Sequence, residues 1–355
     1  MPLKKIKIIL VDDSPLIITI LKKILSKSHT IEILGTASNG QEGFALAKKV
    51  NPDVVCTDLM MPVMDGYELT KKIMAEFPKP ILIISTEVQK ENETNIFNVL
   101  KAGAVDVFPK PLGNSTGGYE KIAEELILKI KVVSGVVVFS KKNWSGQITE
   151  TKIPSLQTNL SVKPPKKYKI LLLGASTGGP PALQKVLSGL GSKFPSPIIC
   201  IQHISEGFTK GFIDWLNSNV EATVTIAQEG AYPKPGMIYF PNEKNHLGID
   251  YQGKFVNIKT PPYKGHKPSV SVSFFSFFEY YRSSCLAVLL TGMGDDGADA
   301  MKTIKMGGGY TIAQSQASCV VFGMPKVAIE QGGVNKVIDL DKIPQHIKEK
   351  YQLPL

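Results

Sequence analysis

The chain has no apolar run long enough to cross a bilayer, and no signal-peptide core follows the basic residues of its Met-Pro-Leu-Lys-Lys start. Both absences point to a cytoplasmic protein without membrane insertion. Cysteine is scarce: Cys56, Cys200, Cys285 and Cys319 lie far apart, three of them in apolar, strand-like runs. That spacing supports neither a disulfide framework nor a zinc site, and the four read as reduced core residues. Acidic residues are outnumbered, 31 Asp and Glu against 41 Lys and Arg, leaving a net charge of +10. Such an excess suits an acidic partner, whether nucleic acid, an anionic membrane or an acidic protein surface. Much of it falls at Lys141, Lys142, Lys152, Lys163, Lys166, Lys167 and Lys169, however, and a solvated lysine-rich stretch selects no partner by itself. Internal repeats and low-complexity segments are absent.

At 355 residues there is room for two α/β domains, each able to bury its own core. In residues 1–131, Lys7–Val11 reads as a strand ending in Asp12-Asp13, and Ile17, Ile20, Leu21, Ile24 and Leu25 then give a helical stripe. Further strands are expected at Asp53–Thr57, with Asp58 at its end, at Ile81–Ile84 before Ser85, and at Val105–Phe108 before Lys110. Strands alternating with helices imply a doubly wound parallel sheet whose ligand site lies at the carboxyl ends of the strands. Asp12, Asp13, Asp58, Ser85 and Lys110 then share one edge. Carboxylates about 4 Å apart repel by roughly 4 kcal/mol at an effective dielectric near 20. A hard cation relieves that repulsion, and Mg²⁺ suits a site of few carboxylates, phosphate oxygens and water.

These residues, with Met61–Gly66, make the first half resemble a response-regulator receiver domain, a flavodoxin-like fold. The resemblance implies Asp58 as phosphoacceptor, Ser85 and Lys110 as phosphoryl-site support, and Mg²⁺ on Asp13 and Asp58 with Asp12 acting through water. It also implies a histidine kinase as phosphodonor. Val107 stands where many receivers carry an aromatic switch residue, so signalling by aromatic rotation is not expected.

Residues 132–168 read as a linker, with Val136–Phe139 and Trp144 as candidates to dock on either domain. Residues 169–355 give strand-like runs at Ile170–Leu173, Ile198–Gln202, Thr223–Ala227, Met237–Phe240, Phe255–Ile258, Leu286–Thr291, Tyr310–Ala313 and Lys336–Leu340. Helical stretches between several of them predict a second, mostly parallel doubly wound α/β domain, with a hairpin inserted near Met237–Ile258 and a buried helix over Ser271–Tyr281. Gly-Ala-Ser-Thr-Gly-Gly (174–179) joins the first of these strands to a helix, so Ser176 falls on a sharp turn at a helix amino terminus, where negative charge is favoured. The same residues also fit a plain βα turn or half of a dinucleotide fingerprint, though Ser176 occupies the place of that fingerprint's second glycine.

A serine nucleophile needs a base and a group to orient it. His203 directly follows the strand Ile198–Gln202, while His246 and His266 near the hairpin are secondary candidates, and His29 and His346 read as surface residues. Asp295 and Asp296 stand at another strand end, and either fits the pattern of an orienting acid. The chain order Ser, His, Asp differs from the Ser, Asp, His of an α/β-hydrolase. Together with Gln202-His203, His266–Val270 and Leu290–Ala298, these motifs make residues 169 to about 350 resemble the CheB family of chemotaxis protein-glutamate methylesterases. The resemblance implies a triad of Ser176, His203 and Asp296, with Thr177 and Met293 supporting the histidine and the oxyanion site. It implies a phosphorylation-activated serine hydrolase that demethylates glutamyl methyl esters, and deamidates glutamines, on chemoreceptor helices, with no metal at that site. Ser271 and Ser273 depart from the family's aspartate and apolar residue. A DNA-binding regulator would suit the net charge, but its output domain is usually a small helix-turn-helix or winged unit, so no nucleic-acid partner is expected.

Overall fold

The apolar run that opens the chain becomes β1 (Ile6–Val11), buried from Ile8 onward as befits a strand covered on both faces. In this computed structural model, which describes residues 5–86, 93–111, 118–138 and 168–354, the chain continues as α1 (Pro15–Leu25), β2 (Ile31–Ala37), α2 (Gly40–Val50), β3 (Val54–Thr57), α3 (Gly66–Glu76), β4 (Ile81–Ser85), α4 (Glu93–Ala102), β5 (Asp106–Pro109) and α5 (Gly118–Ser134). The strands pair in parallel in the order β2-β1-β3-β4-β5. Ser14, Asn39 and Asp65 cap α1, α2 and α3 by accepting from the N–H three residues on.

β2 was not expected. It is an edge strand in which only Ile31 and Ala37 are buried, and Glu32, Gly35 and Thr36 break the apolar run that would announce it. α5 continues to Ser134, and Val133 and Val136 join the core of Ile8, Leu10 and Leu126. Most of the expected linker, including Phe139 and Trp144, lies outside the described residues.

The second sheet follows as β6 (Ile170–Ala175), α6 (Gly179–Leu190), β7 (Ile198–Gln202), α7 (Thr209–Asn217), β8 (Thr223–Ile226), β9 (Met237–Phe240), β10 (His246–Ile249), β11 (Phe255–Ile258), α8 (Val270–Tyr281), β12 (Cys285–Leu289), α9 (Ala298–Met306), β13 (Tyr310–Gln314), α10 (Met324–Glu330), β14 (Lys336–Ile338) and α11 (Ile343–Lys350). Seven parallel strands run in the order β14-β13-β12-β6-β7-β9-β8. The expected hairpin is narrower than Met237–Ile258. The apolar run Met237–Phe240 enters the main sheet between β7 and β8, and among the described strands only β10 and β11 pair antiparallel, around a turn in which Asp250 accepts from the N–H groups of Gln252 and Lys254. α8 is buried as expected, through Val270, Phe274, Phe277 and Phe278.

The two sheets meet through helices. Phe97 of α4 packs its ring 5.1 Å from Phe212 and 5.7 Å from Trp215 of α7, and all three are at most 2% exposed. The Trp215 Nε1–H donates to Asn98 at 3.4 Å, and Lys101 lies over the indole ring.

Candidate active site and phosphoryl site

β6 is the strand about which the second sheet reverses, with β7 on one side and β12 on the other, so three strand ends converge there. Ser176 leaves β6 with its N–H donating to Thr291 O at 3.0 Å, and His203 leaves β7 with its N–H donating to Ala175 O at 3.0 Å. The turn is glycine-dependent at two places. Gly178 has φ +74°, and a Cβ on Gly292 would lie 2.8 Å from the Ser176 Cβ. Gln202 ties the two strand ends together, its Nε2 donating to Ser176 O at 2.9 Å and to His203 O at 2.8 Å.

His203 Nε2 is 2.8 Å from Asp296 Oδ2. A carboxylate there fixes the tautomer, Nε2 carrying the proton and Nδ1 the lone pair. Asp296 also accepts from the Ser269 hydroxyl at 2.8 Å and from the N–H groups of Val270 at 2.7 Å and Ser271 at 2.9 Å. Burial alone would raise the Asp296 pKa, but the histidine and these donors outweigh it and hold the carboxyl well below the usual range. Nδ1 of His203 is buried and takes no hydrogen bond among the described residues, so the bond from the Ser176 hydroxyl is not made in this arrangement. The adjacent register of Ala175 and Gln202 puts the two side chains on neighbouring strand ends, and such bonds commonly tighten only with substrate present.

Asp295, the other acid candidate, turns outward and pairs with Lys264 at 2.8 Å. Of the secondary histidines, His246 is fully buried, its Nδ1 accepting from the Ser269 N–H at 2.9 Å and its Nε2 donating to Pro261 O at 3.1 Å. His266 lies flat on His203, with ring centroids 3.8 Å apart and planes 8° apart. His29 is exposed, whereas His346 is half-buried and bonds Tyr310. Ser271 and Ser273 are fully buried rather than superficial, and the Ser271 hydroxyl donates to Asp299 while accepting from the Gly297 N–H. Met293 follows Gly292 in the turn pressed against Ser176. The Thr177 hydroxyl accepts from Lys129 of α5 at 3.4 Å, and that ammonium also pairs with Asp106 at 2.8 Å. Sequence reasoning gave Gln202 and Ser269 only as members of motifs, with no role of their own, and did not single out Lys129. Ser269 alone carried a signal, since a Ser before an apolar helical run is a cap, and it does cap α8.

At the first sheet, Asp12, Asp13 and Asp58 each offer a carboxylate oxygen within 4.8 Å of the others. Asp12 and Asp58 are buried while Asp13 is exposed, and Lys110 Nζ lies 2.8 Å from both buried carboxylates. Burial pushes the Asp58 carboxyl upward against the pull of Lys110. Burial would lower the Lys110 pKa, yet its two carboxylate partners hold it above the ordinary value. Ser85 is buried at the end of β4. A Cβ on Gly66 would meet the Asp58 carbonyl at 2.2 Å, which is why the start of α3 can press against that loop. Clustered hard oxygens beside a single ammonium fit a divalent cation such as Mg²⁺. Val107 is partly buried against the core.

Residues 171–347 match the CheB methylesterase family and residues 8–117 the response regulator receiver domain. A protein-glutamate methylesterase/protein-glutamine glutaminase of Halalkalibacterium halodurans is 38% identical over 346 residues, 97% of this chain and 97% of that protein. One from Geobacter metallireducens is 36% identical over 339 residues, 95% of this chain and 96% of that protein. The crystal structure of the Thermotoga maritima CheB methylesterase catalytic domain is 39% identical, with a TM-score of 0.50, and covers 52% of this chain and 98% of its own. Among the described residues no helix is long and apolar enough to cross a membrane.

Proposed function

This chain belongs to the CheB methylesterase family and carries a receiver domain, and on that basis we propose that it is a phosphorylation-regulated protein-glutamate methylesterase and glutaminase acting on chemoreceptors. The observation that carries the reading is the bond from His203 Nε2 to the buried Asp296, which leaves Nδ1 free on the strand end beside Ser176. Ser176 Oγ attacks the ester carbonyl while Nδ1 of His203 takes its proton. His203 then protonates the departing methanol, and Asp296 stabilises the imidazolium. Water hydrolyses the glutamyl-enzyme by the same route in reverse. Base action of this kind contributes roughly 10²–10⁴-fold. A backbone donor to the oxyanion, for which the Met293 N–H is the candidate, contributes about 3–4 kcal/mol.

Asp58 is the phosphoacceptor in this reading, and a chemotaxis histidine kinase its donor. Asp13 and Asp58 would hold Mg²⁺ directly and Asp12 through water, and the ion would neutralise phosphoryl oxygens. Lys110 and Ser85 take the remaining phosphoryl contacts. The receiver half restrains the esterase half through the Phe97–Trp215 packing and through Lys129 at Thr177. The test is methanol release from methylated receptor membranes with and without a phosphodonor. Release that is stimulated by phosphodonor, lost in Ser176→Ala and unstimulated in Asp58→Asn is expected. A purified, folded chain that releases no methanol under either condition refutes the reading.

A further inference from the structure

The bond from Asp296 fixes one atom of the His203 ring and leaves the ring free to swivel about that bond. Proton transfer from Ser176 needs the other nitrogen held in one direction, because misplacement by about 1 Å can cost about 10²-fold in rate. The only flat surface described against the ring is His266, parallel to within 8° at a centroid distance of 3.8 Å. We propose that His266 is a positioning residue for the hydrolysis, its aromatic face holding the plane of His203 while Nε2 bonds Asp296, so that Nδ1 keeps one direction in which to take the Ser176 proton when substrate closes that bond. The inference rests on the reading of Ser176, His203 and Asp296 as the reacting set.

The placement of His266 is built, not incidental. Tyr263 and His266 exchange backbone hydrogen bonds of 3.0 and 2.9 Å, closing the loop before Lys267. The Tyr263 hydroxyl donates to Asp299 at 2.5 Å, and Lys264 pairs with Asp295 at 2.8 Å and Asp299 at 3.4 Å. Those two acids flank Asp296 in the chain. On the far side of the loop, the backbone and hydroxyl donors of Ser269, Val270 and Ser271 close on Asp296 itself. One loop therefore carries both the stacking ring and the donors that orient the acid, so the plane of His203 and its partner are set together.

An uncharged ring also suits the chemistry. Burial, followed by the neighbouring charge on His203, pulls the His266 pKa down to about 4. A neutral imidazole presents a π face to the imidazolium formed in the transition state, an attraction that grows when both rings are out of water. A second cation there would oppose the same step.

The experiment compares His266→Ala, His266→Leu and His266→Phe in the full chain, measuring kcat and KM for methanol release and the rate of Ser176 labelling by a fluorophosphonate, with melting curves as a check on folding. Alanine is expected to lower kcat and the labelling rate together by about 10–30-fold with KM within about twofold, because the ring acts on the base and not on substrate binding. Phenylalanine, which keeps the flat face, should stay within about threefold of wild type. Leucine fills the space without a π face and should behave like alanine, which keeps the comparison open if alanine loosens the loop. Wild-type kinetics in the alanine and leucine chains overturn the inference. So does a phenylalanine chain as impaired as the leucine one. An inactive wild-type chain would instead remove the hydrolase reading beneath it.

Discussion

If the receiver half restrains the esterase half, the contact to cut is Phe97. Its ring is 2% exposed and packs on Phe212 and Trp215, so truncation to alanine removes the largest apolar group that α4 offers to α7. A buried Phe→Ala change costs about 3–5 kcal/mol. Part of that burial lies within the first sheet's own core, where Phe97 also contributes. If about half of the cost falls on the closed arrangement alone, that arrangement loses roughly 1.5–2.5 kcal/mol relative to an open one. At 1.4 kcal/mol per factor of ten, the closed-to-open ratio falls by about 12–60-fold. A protein that is about 1% open would become roughly 10–40% open without any phosphate. The assay is methanol release by full-length Phe97→Ala with no phosphodonor. Basal release should rise about tenfold or more, and the further stimulation by phosphodonor should shrink in proportion. The total rate with phosphodonor should match wild type, because no reacting side chain has been touched. A basal rate within twofold of wild type, in a chain still phosphorylated on Asp58, would refute the idea that this helix pair holds the two halves together.

The other predictions concern the sites themselves. Asp296→Asn should lower kcat by about 10³–10⁴-fold, as loss of the orienting carboxylate does in comparable triads. It should also flatten the acid side of the stability profile. A carboxyl held below its unfolded value contributes stability in full above the ordinary carboxylate range and loses it as pH falls below, so wild type should lose melting temperature faster than the variant under acid conditions. Gln202→Leu leaves the carbonyls of Ser176 and His203 without their shared donor, at about 1–3 kcal/mol each, and should lower the melting temperature measurably while slowing Ser176 labelling. Chelation of Mg²⁺ should abolish stimulation by phosphodonor and leave basal methanol release unchanged, since the carboxylate cluster belongs to the first sheet alone.

Much of the architecture was legible because both sheets are parallel and buried on both faces. Their central strands therefore read as continuous apolar runs, and the residue after each run falls at the ligand edge. That rule put Ser176, His203 and the pair Asp295 and Asp296 at one edge, the resemblance choosing Asp296, and likewise Asp12, Asp58 and Lys110. It failed where burial is one-sided. β2 lies at an edge, and Glu32 and Gly35 interrupt its apolar pattern. It also could not tell β9, which joins the main sheet, from the hairpin beside it, because a run of four apolar residues suits either.

What stayed hidden depends on contacts that no period encodes. Gln202 is one residue from His203, and an isolated amide in a strand gives no hint that it ties two strand ends together. Lys129 sits half-buried among exposed charges of the same helix, and its ammonium reaches Thr177, some 48 positions along the chain. His246 and His266 looked equivalent near the hairpin. The structure separates them by what they touch: His246, on β10, spends both ring nitrogens on the backbone of the loop that carries His266, and His266 gives its face to the base. A histidine whose two nitrogens are both engaged by backbone groups has no means of handing a proton to substrate. A histidine with only its π face engaged can still act, through the geometry and charge of the ring it covers. The distinction between the two is one of free valences, and it becomes readable only when the fold has decided which atoms meet.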